Sequence, residues 1–144
     1  MMIKDVVITN LDVIDTPNGK VMHAIKETST GYTGFGEAYF SCVDEGAIKA
    51  WKRHKNMTLN LIVPLGKIKF VMFDDRDASN IQFQEIILSK ENYCRLTVPP
   101  MVWMGFKGLL RKESMLLNIA NIEHNPEEVD RLAIDKINYD WRVV

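Results

Sequence analysis

"FQEIILSKENYCRLTVPPMVWMGFKGL", Phe83–Leu109, decides the fold. "FQEIILS" is apolar and β-branched enough for a strand, "KENY" is a polar turn, and "CRLTV" is a second strand. Pro99–Pro100 then interrupts the chain, because proline lacks the N–H that a ladder needs. "MVWMGFKGL" resumes as a third strand. Short strands at this spacing are the pattern of a sandwich or barrel.

The same rhythm extends both ways. Upstream, "IKFVMFDD" (Ile68–Asp75) follows the turn "PLGK", and "MTLNLIV" (Met57–Val63) precedes it. "RDASN" is a polar loop, and "EAYFSCV" (Glu37–Val43) and "AIKAWKRH" (Ala47–His54) are further strands. "DVVITNLDVID" is one long strand or two short ones. "TPNG" (Thr16–Gly19) is a hairpin turn: proline presets φ and Asn-Gly tolerates positive φ. "KVMHAIKET" returns as its partner, and "STGYTGFG" is a glycine-rich loop. Downstream, "SMLLNIANI" is the last clear strand. Only "NPEEVDRLA" reads as helix, with Asn125 as cap, Pro126 in the first turn and Glu127 and Glu128 facing the dipole. About ten strands without repeat or linker make residues 1–144 a single all-β domain with one short C-terminal helix.

A net charge of -1 excludes a general nucleic-acid binder, which carries a basic excess. The N-terminus has no long apolar segment, and runs such as "LIVPL" are too short to span a bilayer. Cys42 and Cys94 fit no metal spacing and no disulfide framework, so they read as free thiols in a reducing cytoplasm. His23, His54 and His124 lie in separate elements, and a metal site is not expected.

Charge is nevertheless concentrated in "GAIKAWKRHKN" (Gly46–Asn56). In a strand Lys52 and His54 share one face, and Lys49, Trp51 and Arg53 take the other unless a bulge intervenes. If Lys52 and His54 face inward, they stand at a barrel mouth, a common ligand site. The plainer reading is a solvated strand end. Polar residues within apolar strands add candidates: Glu37 and Tyr39 with Ser41 on one face, Asn60, and Asn118 with Asn121. Core hydrogen bonding explains such residues equally well, and Trp103 reads as core or as a stacking wall.

The order "GAIKAWKRH", "GKIKFVMFDDR", "IILSKENYCRLTVPPMVWMGF", "LLNIANIEHNPEE" resembles the cupin-fold dTDP-4-dehydrorhamnose 3,5-epimerases and the related sugar-nucleotide 3,4-ketoisomerases. That resemblance implies a cupin-type antiparallel jelly-roll β-barrel, a homodimer, and no cofactor. It implies deprotonation beside the ketone of a nucleoside-diphosphate 4-keto-6-deoxy sugar in bacterial surface polysaccharide biosynthesis. Aligned on Gly46, Lys52 stands at the family's histidine base, His54 at its glutamine and Lys49 at its arginine. Met104 stands at its second histidine and Leu117 at its tyrosine, and no counterpart of its C-terminal supporting aspartate is read. The expected catalytic residues are Lys52, His54 and Tyr39. Glu37, Lys49, Arg53, Asn60, Trp103 and Asn118 are expected to bind substrate. The alternative is a non-catalytic sugar-nucleotide binder or helper subunit.

Overall fold

The computed structural model describes residues 2–110 and 112–143. Twelve strands run in chain order: β1 (Val7–Asn10), β2 (Val13–Thr16), β3 (Gly19–Met22), β4 (Glu37–Val43), β5 (Ile48–His54), β6 (Leu59–Leu65), β7 (Lys67–Asp74), β8 (Gln82–Ser89), β9 (Cys94–Val98), β10 (Trp103–Gly108), β11 (Ser114–Ala120) and β12 (Val129–Arg131). Two antiparallel five-stranded sheets result, in orders β1-β9-β6-β11-β4 and β12-β5-β10-β7-β8, and β2-β3 forms a separate hairpin. This is the antiparallel jelly roll. "DVVITNLDVID" is two strands, and "TPNG" turns the hairpin as expected.

Alternation builds the core. Ile68, Phe70 and Met72 of β7 meet Leu59, Leu61 and Val63 of β6 and Leu96 and Val98 of β9 in one cluster between the sheets. Burying each such side chain stabilises the fold by about 1.5–3 kcal/mol. The alternate residues of the second sheet are also covered. Trp51, Val71 and Trp103 pack beneath Ile137 and Trp141 of the C-terminal segment. Lys69 Nζ donates to Val143 O at 2.5 Å and Lys107 Nζ to Trp141 O at 2.9 Å, tying that segment down. Among the described residues no helix is long and apolar enough to cross a membrane.

Two local differences from the sequence reading bear on the site. "PLGK" does not end β6 at Pro64, since the strand runs to Leu65 and Gly66 makes the turn at φ +84°. A Cβ at Gly66 would meet Ser114 Oγ at 2.3 Å, so only glycine fits. "NPEEVDRLA" is not an α-helix. Asn125 Oδ1 accepts from Glu127 N at 3.0 Å, Pro126–Glu128 forms one 3₁₀ turn, and the chain then pairs with β5 as β12. The cap and proline signals were correctly placed, but edge pairing prevailed over helix propagation.

Candidate active site

β5 carries the site because its alternation is broken. Met104 pairs with Lys52, but Phe106 pairs with Lys49, so β5 holds an extra residue across from Gly105. That bulge puts Lys49, Lys52 and His54 all on the inner face. Gly105 permits it: a Cβ there would lie 2.6 Å from Ala50 Cβ and 2.9 Å from Trp141 Cζ2.

The three side chains open into a cavity of about 440 Å³ between the sheets. Such a volume suits a small ligand. Tyr39 and Asn118 line the opposite wall, and Leu59, Leu61, Met104 and Phe106 supply apolar surface. Tyr39 stands at the mouth, 39% exposed. Asn118 orients it: Nδ2 donates to Tyr39 Oη at 3.1 Å, and Oδ1 accepts from Asn60 N at 3.2 Å.

His54 is buried and its Nδ1 bonds Glu128 Oε1. Glu128 Oε2 accepts from Asn56 N at 3.0 Å and Met57 N at 3.2 Å, which fixes the carboxylate. Burial alone would raise the Glu128 carboxyl, but the hydrogen bonds from His54, Asn56 and Met57 hold it below the usual range. Burial pushes the His54 imidazole below its ordinary value of 6.5, against the opposing pull of Glu128. At neutral pH the ring is therefore uncharged. With Nδ1 as donor to Glu128, Nε2 is the basic nitrogen left for the cavity.

Glu128 and Arg131 were not named as site residues from the sequence; the 3₁₀ turn Pro126–Glu128 ends on Glu128, and β12 delivers Arg131. Arg131 pairs with Lys52 across the ladder and Val129 with His54. Lys49, Lys52 and Arg131 all line the cavity, and no carboxylate does. Lys49 Nζ donates to Cys42 O at 2.8 Å. Burial, then Arg131 and Lys49, lower Lys52 from its ordinary 10.5. The available signal was "EEVDR" itself, Glu127–Arg131: three acidic residues and an arginine around one valine, distant in sequence from the cation-rich strand β5 but paired with it in the fold.

Four expected binding residues are placed elsewhere. Arg53 points outward, donating to Asp130 Oδ2 at 3.1 and 2.7 Å and lying 4.5 Å over the ring of Trp103. Trp103 is buried in the outer cluster, because alternation on β10 turns Met104 inward instead. Asn60 Oδ1 accepts from Thr97 and Arg95 on the outer face of the first sheet. Glu37 is not among the lining residues, and its Oε1 is buried without a partner. Leu117 faces away from the cavity, whereas its neighbours Leu116 and Asn118 line it.

No protein-family model matches the chain. A solved structure does: the dTDP sugar isomerase of Desulfovibrio desulfuricans G20 is 31% identical, with a TM-score of 0.91, covering 98% of this chain and 93% of that one. The chain belongs to the cupin-fold sugar-nucleotide epimerase/isomerase superfamily. Within it, a probable low-salt glycan biosynthesis epimerase, Agl13 of Haloferax volcanii, is 27% identical over 142 residues, 96% of this chain and 89% of that protein. The spore coat polysaccharide biosynthesis protein SpsL of Bacillus subtilis is 24% identical over 113 residues, 74% of this chain and 75% of that protein. Membership accounts for the jelly roll.

Proposed function

We propose that the protein is a metal-independent epimerase or isomerase of a nucleoside-diphosphate 4-keto-6-deoxy sugar in glycan biosynthesis, working in the cytoplasm as a homodimer. The observation that carries this reading is a buried, carboxylate-held histidine facing a cavity lined by three cations. A proton beside a ketone is acidic enough for such a base once the enolate oxygen is stabilised.

His54 Nε2 removes the α proton, and Glu128 stabilises the imidazolium that forms. Lys52 lies beside it and faces the developing enolate oxygen. Arg131 and Lys49 hold the diphosphate, whose charge keeps the neighbouring Lys52 protonated despite its burial. Tyr39, steadied by Asn118, stands on the opposite wall as the acid that returns a proton. Between the two catalytic candidates on β5, the Glu128 contact favours His54 as the base and leaves the electrostatic part to Lys52.

The test is turnover. Incubation with dTDP-4-keto-6-deoxyglucose, followed by proton NMR of the sugar, shows a new stereoisomer or a migrated ketone in the wild type and none in His54→Ala. Unchanged substrate that nonetheless binds by calorimetry would replace this reading with a non-catalytic sugar-nucleotide binder.

A further inference from the structure

β9 is buried on both faces. Leu96 faces the core, and Arg95 and Thr97 face outward under the segment that follows the hairpin. Arg95 is only 1% exposed. Its Nε donates to Asn60 Oδ1 at 3.2 Å, Nη1 to Ala24 O at 2.8 Å and Nη2 to Thr30 O at 2.7 Å. All three acceptors are neutral. Among the described residues no carboxylate pairs with it. A guanidinium has five N–H groups, so one remains on each terminal nitrogen.

Buried charges are ordinarily paired, because desolvation without a counter-charge is costly. Burial also pushes Arg95 below its ordinary value. Arg95 borders a hollow of about 150 Å³ that shares no lining residue with the main cavity. His23 and Lys26 line it, with Thr9, Asn10 and Ser29 as neutral polar groups and Asp12 as the one carboxylate. Ser29 Oγ accepts from Lys26 N at 2.9 Å, so its hydroxyl hydrogen is free to point into the space. At about 30 Å³ per water the hollow holds roughly five waters, room for one tetrahedral oxyanion but not for a sugar nucleotide.

We infer that this hollow is a second anion site, in which Arg95, Lys26 and Ser29 take a small oxyanion: free phosphate or a terminal phosphate group of a larger molecule. The site lies at the base of the β2–β3 hairpin. Leu11 N donates to Tyr93 O at 3.2 Å and His23 N to Asp12 O at 2.9 Å, so both hairpin legs border the ligand. Occupancy would brace the hairpin against the first sheet.

Orthophosphate titrated into the full chain by calorimetry, in the presence of saturating dTDP, tests this. The expected result is one phosphate per chain with a Kd of about 1 mM or tighter. Lys26→Glu, at an exposed position, should weaken binding at least about tenfold, and Arg131→Ala in the main cavity should leave it unchanged. No phosphate binding, binding indifferent to Lys26→Glu, or binding lost in Arg131→Ala would each overturn the inference. Sugar turnover would stand in any of these cases. If the site binds, phosphomonoester and inorganic phosphate compared in the same titration distinguish the two sources.

Discussion

Arg131 stands directly across the β5–β12 ladder from Lys52, and the two cations line one cavity. Like charges opposite each other on a sheet destabilise it. Here the arrangement concentrates positive potential where a diphosphate and an enolate need it. Arg131→Ala should therefore raise KM at least about tenfold, a loss comparable to one charge-assisted hydrogen bond. It should also let Lys52 rise toward 10.5, since Arg131 is among the causes holding it down. The alkaline limb of kcat/KM then moves to higher pH, which initial rates across the alkaline range would show.

Lys52→Ala and His54→Ala should each lower kcat by at least about a hundredfold, the usual scale for losing an acid–base or charge-stabilising group. Circular dichroism should show both variants folded. Full activity in either would remove that residue from the mechanism.

Glu128 is a positioning residue, and its removal has a readout that simple loosening would not produce. Its hydrogen bond and charge raise His54 against the effect of burial. Glu128→Gln should therefore move the acidic limb of kcat/KM still further below 6.5 while lowering kcat. Glu128→Ala should also destabilise the fold by about 1–3 kcal/mol, because the buried N–H of Met57 loses its acceptor. Denaturant melts of the two variants separate the effects.

His54 also sets a pH dependence of stability. Its folded value lies below its ordinary 6.5, so the unfolded chain binds the proton more readily. The contribution is complete above 6.5 and is lost as pH falls from there through the lowered folded value. Melting temperature should decline over that acidic window, and His54→Gln should flatten the decline.

Gly105 is where the backbone of the site can be tested. Gly105→Ala would drive a methyl toward Ala50 and Trp141 and cost about 1–3 kcal/mol by overpacking. The strand would regain regular pairing only by turning Lys49 off the inner face, so weakened substrate binding should accompany the loss of stability.

The strands could be read because each hydrophobic pattern is local. Ile68, Phe70 and Met72 alternate in sequence and are buried together in the core. Lys52 and His54 were readable for the same reason. Lys49 was expected at the site through the resemblance, but alternation alone puts it on the other face; its inward turn depends on an extra residue in β5 opposite Gly105, a contact between distant segments. Arg53 lies on the face that alternation gives it and binds Asp130 there, while Asn60 was misplaced for want of a face. β6 is covered on both sides, so a polar residue in it signals a partner without saying on which face. Glu128 escaped because "NPEEVDRLA" carries good helix-start signals, and only pairing with β5 turns it into the carboxylate behind His54.

The most direct measurement is proton exchange in heavy water. Wild-type protein and His54→Ala would be mixed with dTDP-4-keto-6-deoxyglucose, and the sugar H3 and H5 signals followed by NMR. A base at His54 predicts loss of at least one of these signals in the wild type and its retention in His54→Ala. Equal exchange in both proteins would contradict His54 as the base.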